Sequence, residues 1–398
     1  MTDKAVSSLA TGCPVCGSAD LDEFVELLAV PVYCNVLWST REQAEDAARG
    51  DMRLAFCRDC THIYNTSFDP GLVTYAEDYE NSLLFSPRFR TYADRQAKHL
   101  VEKFSLHDKL VVEIGCGKGD FLKLLCDTGG NRAVGFDPSL DGPAGNRTVS
   151  GPVTLIQGIY SEAHADLAAD LICCRQVLEH LSVPHDLLST VRKNVAKRPK
   201  TAIFFEMPNA LFTLRDMGIW DLIYEHVSYF TPTSLGRAFA VSGFEVEDLR
   251  EDFEGQYLCV EAFASPGQIE DVRGEPDSDH VADLVVDFAE EYRNRVDSWS
   301  RRLGELADAG RRAAIWGAGS KGVSFLNAVQ NADAVSCVVD ISPRKHGMHV
   351  AGTGQKVVPP EALLEAKPDL VIVMNPIYRD EIADSAKKLG LEAEFVAV

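Results

Sequence analysis

The chain has 398 residues, 46% of them hydrophobic and 25% charged, which is enough apolar material for two or three domain cores. Asp and Glu outnumber Lys and Arg by 60 to 39, a formal charge of -21. With no local basic patch to offset that charge, a nucleic-acid partner is not expected. Apolar runs such as Leu171 to Cys174 and Ala202 to Phe205 have strand length, far below the roughly 20 residues of a membrane span. The polar stretch Met1 to Thr11 lacks the basic region and apolar stretch of a secretory signal. A cytoplasmic location with reduced thiols is therefore expected.

The first motif is a pair of C-x-x-C turns, Cys13-Pro14-Val15-Cys16 and Cys57-Arg58-Asp59-Cys60, while the remaining seven cysteines are scattered. Each turn can present two thiolates at the bond length of roughly 2.3 Å that zinc prefers, and four thiolates leave no open coordination position. The pattern predicts a structural zinc held by Cys13, Cys16, Cys57 and Cys60. A redox site would need one such pair beside a βαβ unit. The long interval between the pairs predicts an inserted strand pair around Val32 to Leu37.

The middle of the chain reads as strand, glycine turn and helix. Leu110 to Ile114 is apolar and runs into Gly115-Cys116-Gly117-Lys118-Gly119-Asp120, followed by the helical spacing of Phe121, Leu122, Leu124 and Leu125. Gly115 and Gly117 remove side chains where a cofactor lies against the backbone beside Cys116, and Glu113 at the strand end suits a cationic amino group. About 20 residues on, the strand Ala133 to Phe136 ends at Asp137-Pro138, where a carboxylate can accept both ribose hydroxyls. A third strand, Asp170 to Cys174, leads into a loop carrying Gln176 and His180, and a fourth, Thr201 to Glu206, leads to Asn209. This E-I-G-C-G-K-G-D-F pattern with its downstream Asp resembles the class I S-adenosylmethionine-dependent methyltransferases over residues 85 to 265. The turn differs from the G-x-G-x-x-G that cradles a dinucleotide pyrophosphate.

Downstream, Trp220 to Phe230 concentrates Tyr224, Glu225, His226 and Tyr229 just before Thr231-Pro232, a helix-start signal. An imidazole titrates near neutral pH, and a neighbouring carboxylate can orient it. The order of parts resembles the zinc-containing sugar C-methyltransferases, which methylate C-3 of nucleotide-linked 4-keto-deoxysugars. That resemblance implies His226 as the base and Glu225 as its orienting partner. It also implies His180, Tyr79 and Tyr224 as donors to the keto oxygen or to substrate hydroxyls. The family commonly carries tyrosine two residues before the Glu, where this chain has Ile223 and places the phenol at Tyr224. A ketone on the adjacent carbon makes the chemistry feasible, because it lets the charge of a removed proton spread onto oxygen.

The last third opens with an acidic stretch, Gly267 to Asp279, and an amphipathic pattern from Asp279 to Ala309 that predicts a long helix. Then come a strand, Arg312 to Trp316, a true G-x-G-x-x-G from Gly317 to Gly322, a helix from Val323 to Val329, and a strand, Ala334 to Val339, ending before Asp340. Ser320 and Lys321 at the helix start suit a diphosphate, and Asn375 and Tyr378 follow a later strand, Asp369 to Met374. With Asn209 and Tyr229 these are the substrate-side candidates.

The fold expectation is α/β. A zinc domain spans 1–80, a Rossmann-like methyltransferase core 81–265, and a linker helix with a second Rossmann-like domain 266–398, with the substrate cleft between the last two. The expected substrate is a small sugar nucleotide, with no membrane and no obligate protein partner. Two other chemistries fit the residues: O-methylation of a secondary metabolite, and NAD-dependent oxidation at the second glycine turn.

Overall fold

The computed structural model describes residues 12–73, 83, 85–143, 145–267 and 278–398. Tyr79 lies outside the described residues, as does most of the acidic stretch between 267 and 279. Among the described residues no helix is long and apolar enough to cross a membrane.

The N-terminal unit is an antiparallel meander of β1 (Leu21–Pro31), β2 (Arg49–Cys57) and β3 (Ile63–Asn65), with α1 (Arg41–Glu45) between the first two strands. The expected strand pair at Val32 to Leu37 is absent. That segment is an irregular loop with Val32, Cys34 and Leu37 buried, and its backbone is tied down by a side chain from far along the chain. The strands of the insertion are instead β1 and β2, which flank it.

The middle unit begins with α2 (Pro87–Lys103), whose N-terminus is capped by the Ser86 hydroxyl with Pro87 in the first turn. Then follow β4 (Leu110–Ile114), α3 (Asp120–Gly129), β5 (Arg132–Asp137), β6 (Arg147–Ser150), β7 (Val153–Gln157), β8 (Leu171–Arg175), α4 (Pro184–Asn194) and β9 (Ala202–Pro208). After these come α5 (Ala210–Arg215), β10 (Ser228–Tyr229), α6 (Pro232–Val241), β11 (Phe244–Asp252) and β12 (Tyr257–Ala264). The sheet order is β11-β12-β9-β8-β4-β5-β7-β6, parallel from β9 to β7 and edged by antiparallel β12 and β6. The central strands are continuous apolar runs because helices cover both faces. Strand order reverses between β4 and β8, the crevice where ligands of open α/β sheets bind.

The third unit contains the long α7 (Ser278–Asp308), β13 (Ala313–Trp316), α8 (Ser320–Ala328), β14 (Val335–Val339), β15 (Val357–Val358), α9 (Leu363–Ala366), β16 (Leu370–Val373), α10 (Arg379–Leu389) and β17 (Glu394–Ala397). Its all-parallel sheet, β15-β14-β13-β16-β17, has its own reversal between β13 and β16.

Two features lock the units together. The short β10 pairs with β3 and completes the N-terminal sheet, Ser228 opposite Tyr64 and Tyr229 opposite Ile63. One hydrophobic core also joins Met52, Leu54 and Phe56 of the first unit, Trp220 and Ile223 of the middle one, and Phe288 and Phe325 of the third.

Candidate active site

Two cavities sit on the carboxyl edges of the two parallel sheets. The first, about 1040 Å³, is lined by Glu113, Gly115, Cys116, Gly117, Asp137, Pro138 and Gln176, all the residues expected at the cofactor site. Its floor is the turn between β4 and α3. Gly115 has φ of +70°, and a Cβ there would lie 2.1 Å from Val177 Cγ2, so both the conformation and the space demand glycine. Asp137 at the end of β5 accepts from the Gly117 amide at 2.7 Å and the Ser139 amide at 2.8 Å, which fixes its carboxylate over the turn.

Glu113 is 2% exposed, and its Oε2 has no hydrogen-bond partner. Burial pushes its carboxyl up to about 8, opposed by the nearby Arg175 guanidinium. A buried carboxylate oxygen without a donor is unfavourable unless a ligand supplies one, and an ammonium group would do so.

The second cavity, about 320 Å³, lies between the middle and third units. It brings together His180, His226 and Tyr229 with Ser320, Lys321, Asn375 and Tyr378. Gln176, His180, Tyr257 and Leu83 line both cavities, so the two adjoin. The His180 and His226 rings stand perpendicular with centroids 5.0 Å apart. Burial lowers His180 to about 4. Burial, with His180 and Lys321 adding to it, holds His226 well below its ordinary value. Both imidazoles are therefore neutral at physiological pH and carry a lone pair.

On the opposite wall, the Lys321 ammonium is ion-paired with Asp221. Lys345 bridges Asp340 Oδ2 and the Ala318 carbonyl, each at 3.2 Å. Asp340 also accepts from the Ala318 amide at 3.1 Å and the Ser342 amide at 2.8 Å. This repeats the Asp137 arrangement on the second glycine turn, with a lysine added. Gly322 has φ in the ordinary range, but a Cβ there would lie 2.3 Å from the Gly317 carbonyl oxygen, so its role is close helix packing. Asn375 and Gln256 exchange amide hydrogen bonds of 3.1 and 3.3 Å across the units.

Three expected site residues face elsewhere. The Tyr224 ring packs on Gly50, where a Cβ would lie 2.4 Å from it, and its hydroxyl accepts from the Asp69 amide at 2.8 Å. The phenol thus anchors the N-terminal unit. Asn209 is fully buried, with its Oδ1 capping α5 through the Leu211 amide at 3.0 Å and its Nδ2 donating to the Gly255 carbonyl at 2.9 Å. Glu225 accepts from the Cys34 amide at 2.8 Å. Its carboxylate pins the Val32 to Leu37 loop instead of orienting His226, and its carbonyl oxygen is the group that meets the site, through His180.

Residues without a sequence signal also line the second cavity: Glu179, Asp221, Gln256, Tyr257 and Lys345. Glu179 could have been found from its place beside His180 in the loop after β8. Gln256 and Tyr257 follow a hairpin turn with no motif.

At the N-terminus, the sulfurs of Cys13, Cys16, Cys57 and Cys60 lie within 4.8 Å of one another, with Cys13–Cys60 and Cys16–Cys57 both at 3.5 Å. A tetrahedron with metal–sulfur bonds of about 2.3 Å has edges of about 3.8 Å, so the donor set fits zinc.

Residues 89–249 match the family described as "Methyltransferase domain", and residues 275–397 match "C-methyltransferase C-terminal domain". The chain is 28% identical over 407 residues to the C-methyltransferase NovU of Streptomyces niveus, covering 94% of this chain and 92% of that protein. Similar solved structures include magnesium protoporphyrin IX methyltransferase (ChlM) from Synechocystis, with 17% identity over 47% of this chain and 90% of that one, TM-score 0.33. Another is the S-adenosylmethionine dependent methyltransferase from Mesorhizobium loti, with 16% identity over 43% of this chain and 99% of that one, TM-score 0.33. On these matches the chain is an S-adenosylmethionine-dependent methyltransferase whose third unit is similar to the C-terminal domain of C-methyltransferases.

Proposed function

We propose that the protein methylates C-3 of a nucleotide-linked 4-keto-6-deoxysugar. The observation that carries this reading is the junction of the two cavities along Gln176, His180 and Tyr257. A neutral His226 stands on one side of the second cavity, and the glycine turn with Ser320, Lys321 and Lys345 on the other. The near full-length likeness to a C-methyltransferase supports carbon as the acceptor.

In this reading Glu113 receives the amino group of S-adenosylmethionine and Asp137 its ribose. The bound cofactor supplies an electrophilic methyl group on a sulfonium whose departure needs no acid. The α8 N-terminus and Lys321 hold the diphosphate, and Tyr378 and the Asn375–Gln256 pair wall in the sugar. Lys345 neutralises the acid that would read a dinucleotide ribose, which argues against NAD at this turn and for a sugar nucleotide. His226 removes the C-3 proton, and burial keeps water from quenching the developing oxyanion, to which Tyr79 donates by resemblance. The Tyr229 hydroxyl is held by the Ile223 backbone and the His180 Nε2 carries a lone pair, so neither donates to that oxygen. Zinc on the four cysteines is structural and cross-links the N-terminal unit, on which β10 and hence His226 are mounted.

The test is to incubate the enzyme with methyl-labelled cofactor and the thymidine, guanosine and cytidine diphosphate forms of 4-keto-6-deoxyhexoses, then locate the label by NMR. A methyl on C-3 is expected. A methyl on oxygen, or no turnover with any of the three while another acceptor is methylated, would overturn the proposal.

A further inference from the structure

Glu179 is a buried acid that the mechanism above does not use. It is 2% exposed, lines the second cavity, and neither carboxylate oxygen has a hydrogen-bond partner. A carboxyl oxygen of Glu179 and ring nitrogens of His180 and His226 all lie within 4.8 Å of one another. Leaving such a group unpartnered is unfavourable by about 1–3 kcal/mol. A glutamine of the same shape would spare that side chain the burial of an ionisable group. The carboxyl is therefore best explained by a need for a group that can take up and release a proton.

We infer that Glu179 is the positioning carboxylate behind the His180–His226 pair, taking over the proton that His226 lifts from the substrate carbon and so returning the base to its neutral form. This rests on the carbon-acid reading given above. The C-3–H bond breaks, the proton goes to a His226 nitrogen, and the electron pair spreads onto the C-4 oxygen. That pair returns to form the new C–C bond as the methyl–sulfur bond breaks, its electrons staying on sulfur. The imidazolium is left beside a carboxylate within reach, and transfer between them replaces a buried charge pair with two neutral groups. The carboxyl then loses its proton to water once product has left, so that one proton is released for each methyl transferred.

The groups facing Glu179 fit the role. Besides the two imidazoles they are the Cys174 thiol from β8 and the Glu206 carboxylate from β9, with the Lys321–Asp221 pair farther along the cavity. Burial pushes the Glu179 carboxyl up to about 8, opposed by the residue's own backbone amide and helped by Glu206. Once ionised it is thus a stronger base than an ordinary glutamate, and the transfer draws on the fraction ionised at the working pH.

The test compares wild type, Glu179→Gln and Glu179→Asp. In Glu179→Gln, kcat should fall about 100-fold with cofactor affinity and thermal midpoint close to wild type. The rise of kcat with pH that tracks ionisation of the carboxyl should disappear, and Glu179→Asp should recover part of both. A Glu179→Gln enzyme that keeps the wild-type pH profile overturns the inference. A second readout needs no sugar. In the S-adenosylhomocysteine-bound enzyme, the imidazole nitrogen signals of His180 and His226 should inflect as the carboxyl titrates, near pH 8, and that inflection should vanish in Glu179→Gln. Signals that show no inflection in wild type overturn the coupling whatever the substrate proves to be.

Discussion

The His180 imidazole is bound through Nδ1 to the backbone carbonyl oxygen of Glu225 at 3.0 Å. A carbonyl can only accept, so the ring proton resides on Nδ1 and the lone pair on Nε2. The same bond ties the loop after β8 to the segment that carries His226. The Glu225 carboxylate, turned the other way, holds the Cys34 amide. One residue thereby fixes a tautomer on one side and a loop of the zinc unit on the other.

Replacing His226 by Asn should lower methyl transfer by a factor of about 1000 and leave cofactor binding within twofold, because His226 does not line the first cavity. Single-turnover kinetics beside calorimetric titration with S-adenosylmethionine would check this. Near-normal turnover would remove His226 from the role of base.

Glu113 makes cofactor binding pH-dependent. Its carboxyl is raised to about 8 from an ordinary value near 4.5, so the folded, empty protein holds this proton more tightly than the unfolded chain does. Its contribution to the stability of the empty enzyme is therefore full at low pH and is lost as pH rises from about 4.5 through 8. An ammonium ligand needs the ionised form, so affinity for S-adenosylmethionine should tighten about tenfold per pH unit below that value and level off above it. Calorimetry in buffers of different ionisation heat should detect the released proton. Glu113→Gln should flatten the profile and weaken binding about tenfold or more.

Lys321→Ala should raise KM for the nucleotide-linked substrate at least about tenfold through loss of a charged contact to the diphosphate. It should change the cofactor dissociation constant little. Because Asp221 loses its partner in the same variant, Asp221→Asn with Lys321→Ala should restore part of the affinity. Substrate titrations at two salt concentrations would check both points.

Removal of the metal, or Cys57→Ser, should lower the thermal midpoint by more than about 5 °C and abolish turnover while S-adenosylmethionine still binds. The N-terminal unit contributes no residue to the first cavity among the described residues, yet it supplies the strand that pairs with β10 beside His226. Metal analysis of the purified protein with parallel scanning calorimetry would measure this.

The legible part of this molecule was local. β4, its glycine turn and α3 form one contiguous run, Asp137 ends the neighbouring strand, and each of these residues lies where spacing put it. The long amphipathic stretch became α7 within one residue at each end. Partners separated by long stretches of chain were not legible. Tyr224 and Glu225 look catalytic in sequence, but Gly50, Asp69 and Cys34 capture their side chains. Asn209 reads as a loop residue near ligands and serves as a helix cap. The Val32 to Leu37 stretch has strand-like composition, but it forms no ladder: the Val32 amide bonds the Ala48 carbonyl and the Cys34 amide bonds the Glu225 carboxylate. Glu179 stood beside a flagged histidine, and only the fold shows that it is buried without partners.

The shared wall of Gln176, His180, Tyr257 and Leu83 has a stereochemical consequence. A planar enolate offers two faces, and free in solution it would be alkylated on either, giving a mixture of epimers. With the cofactor in one compartment and the proposed acceptor in its neighbour, approach would come from a single hemisphere. On that reading the configuration of the new carbon centre is written into the partition between two rooms, before any bond is made.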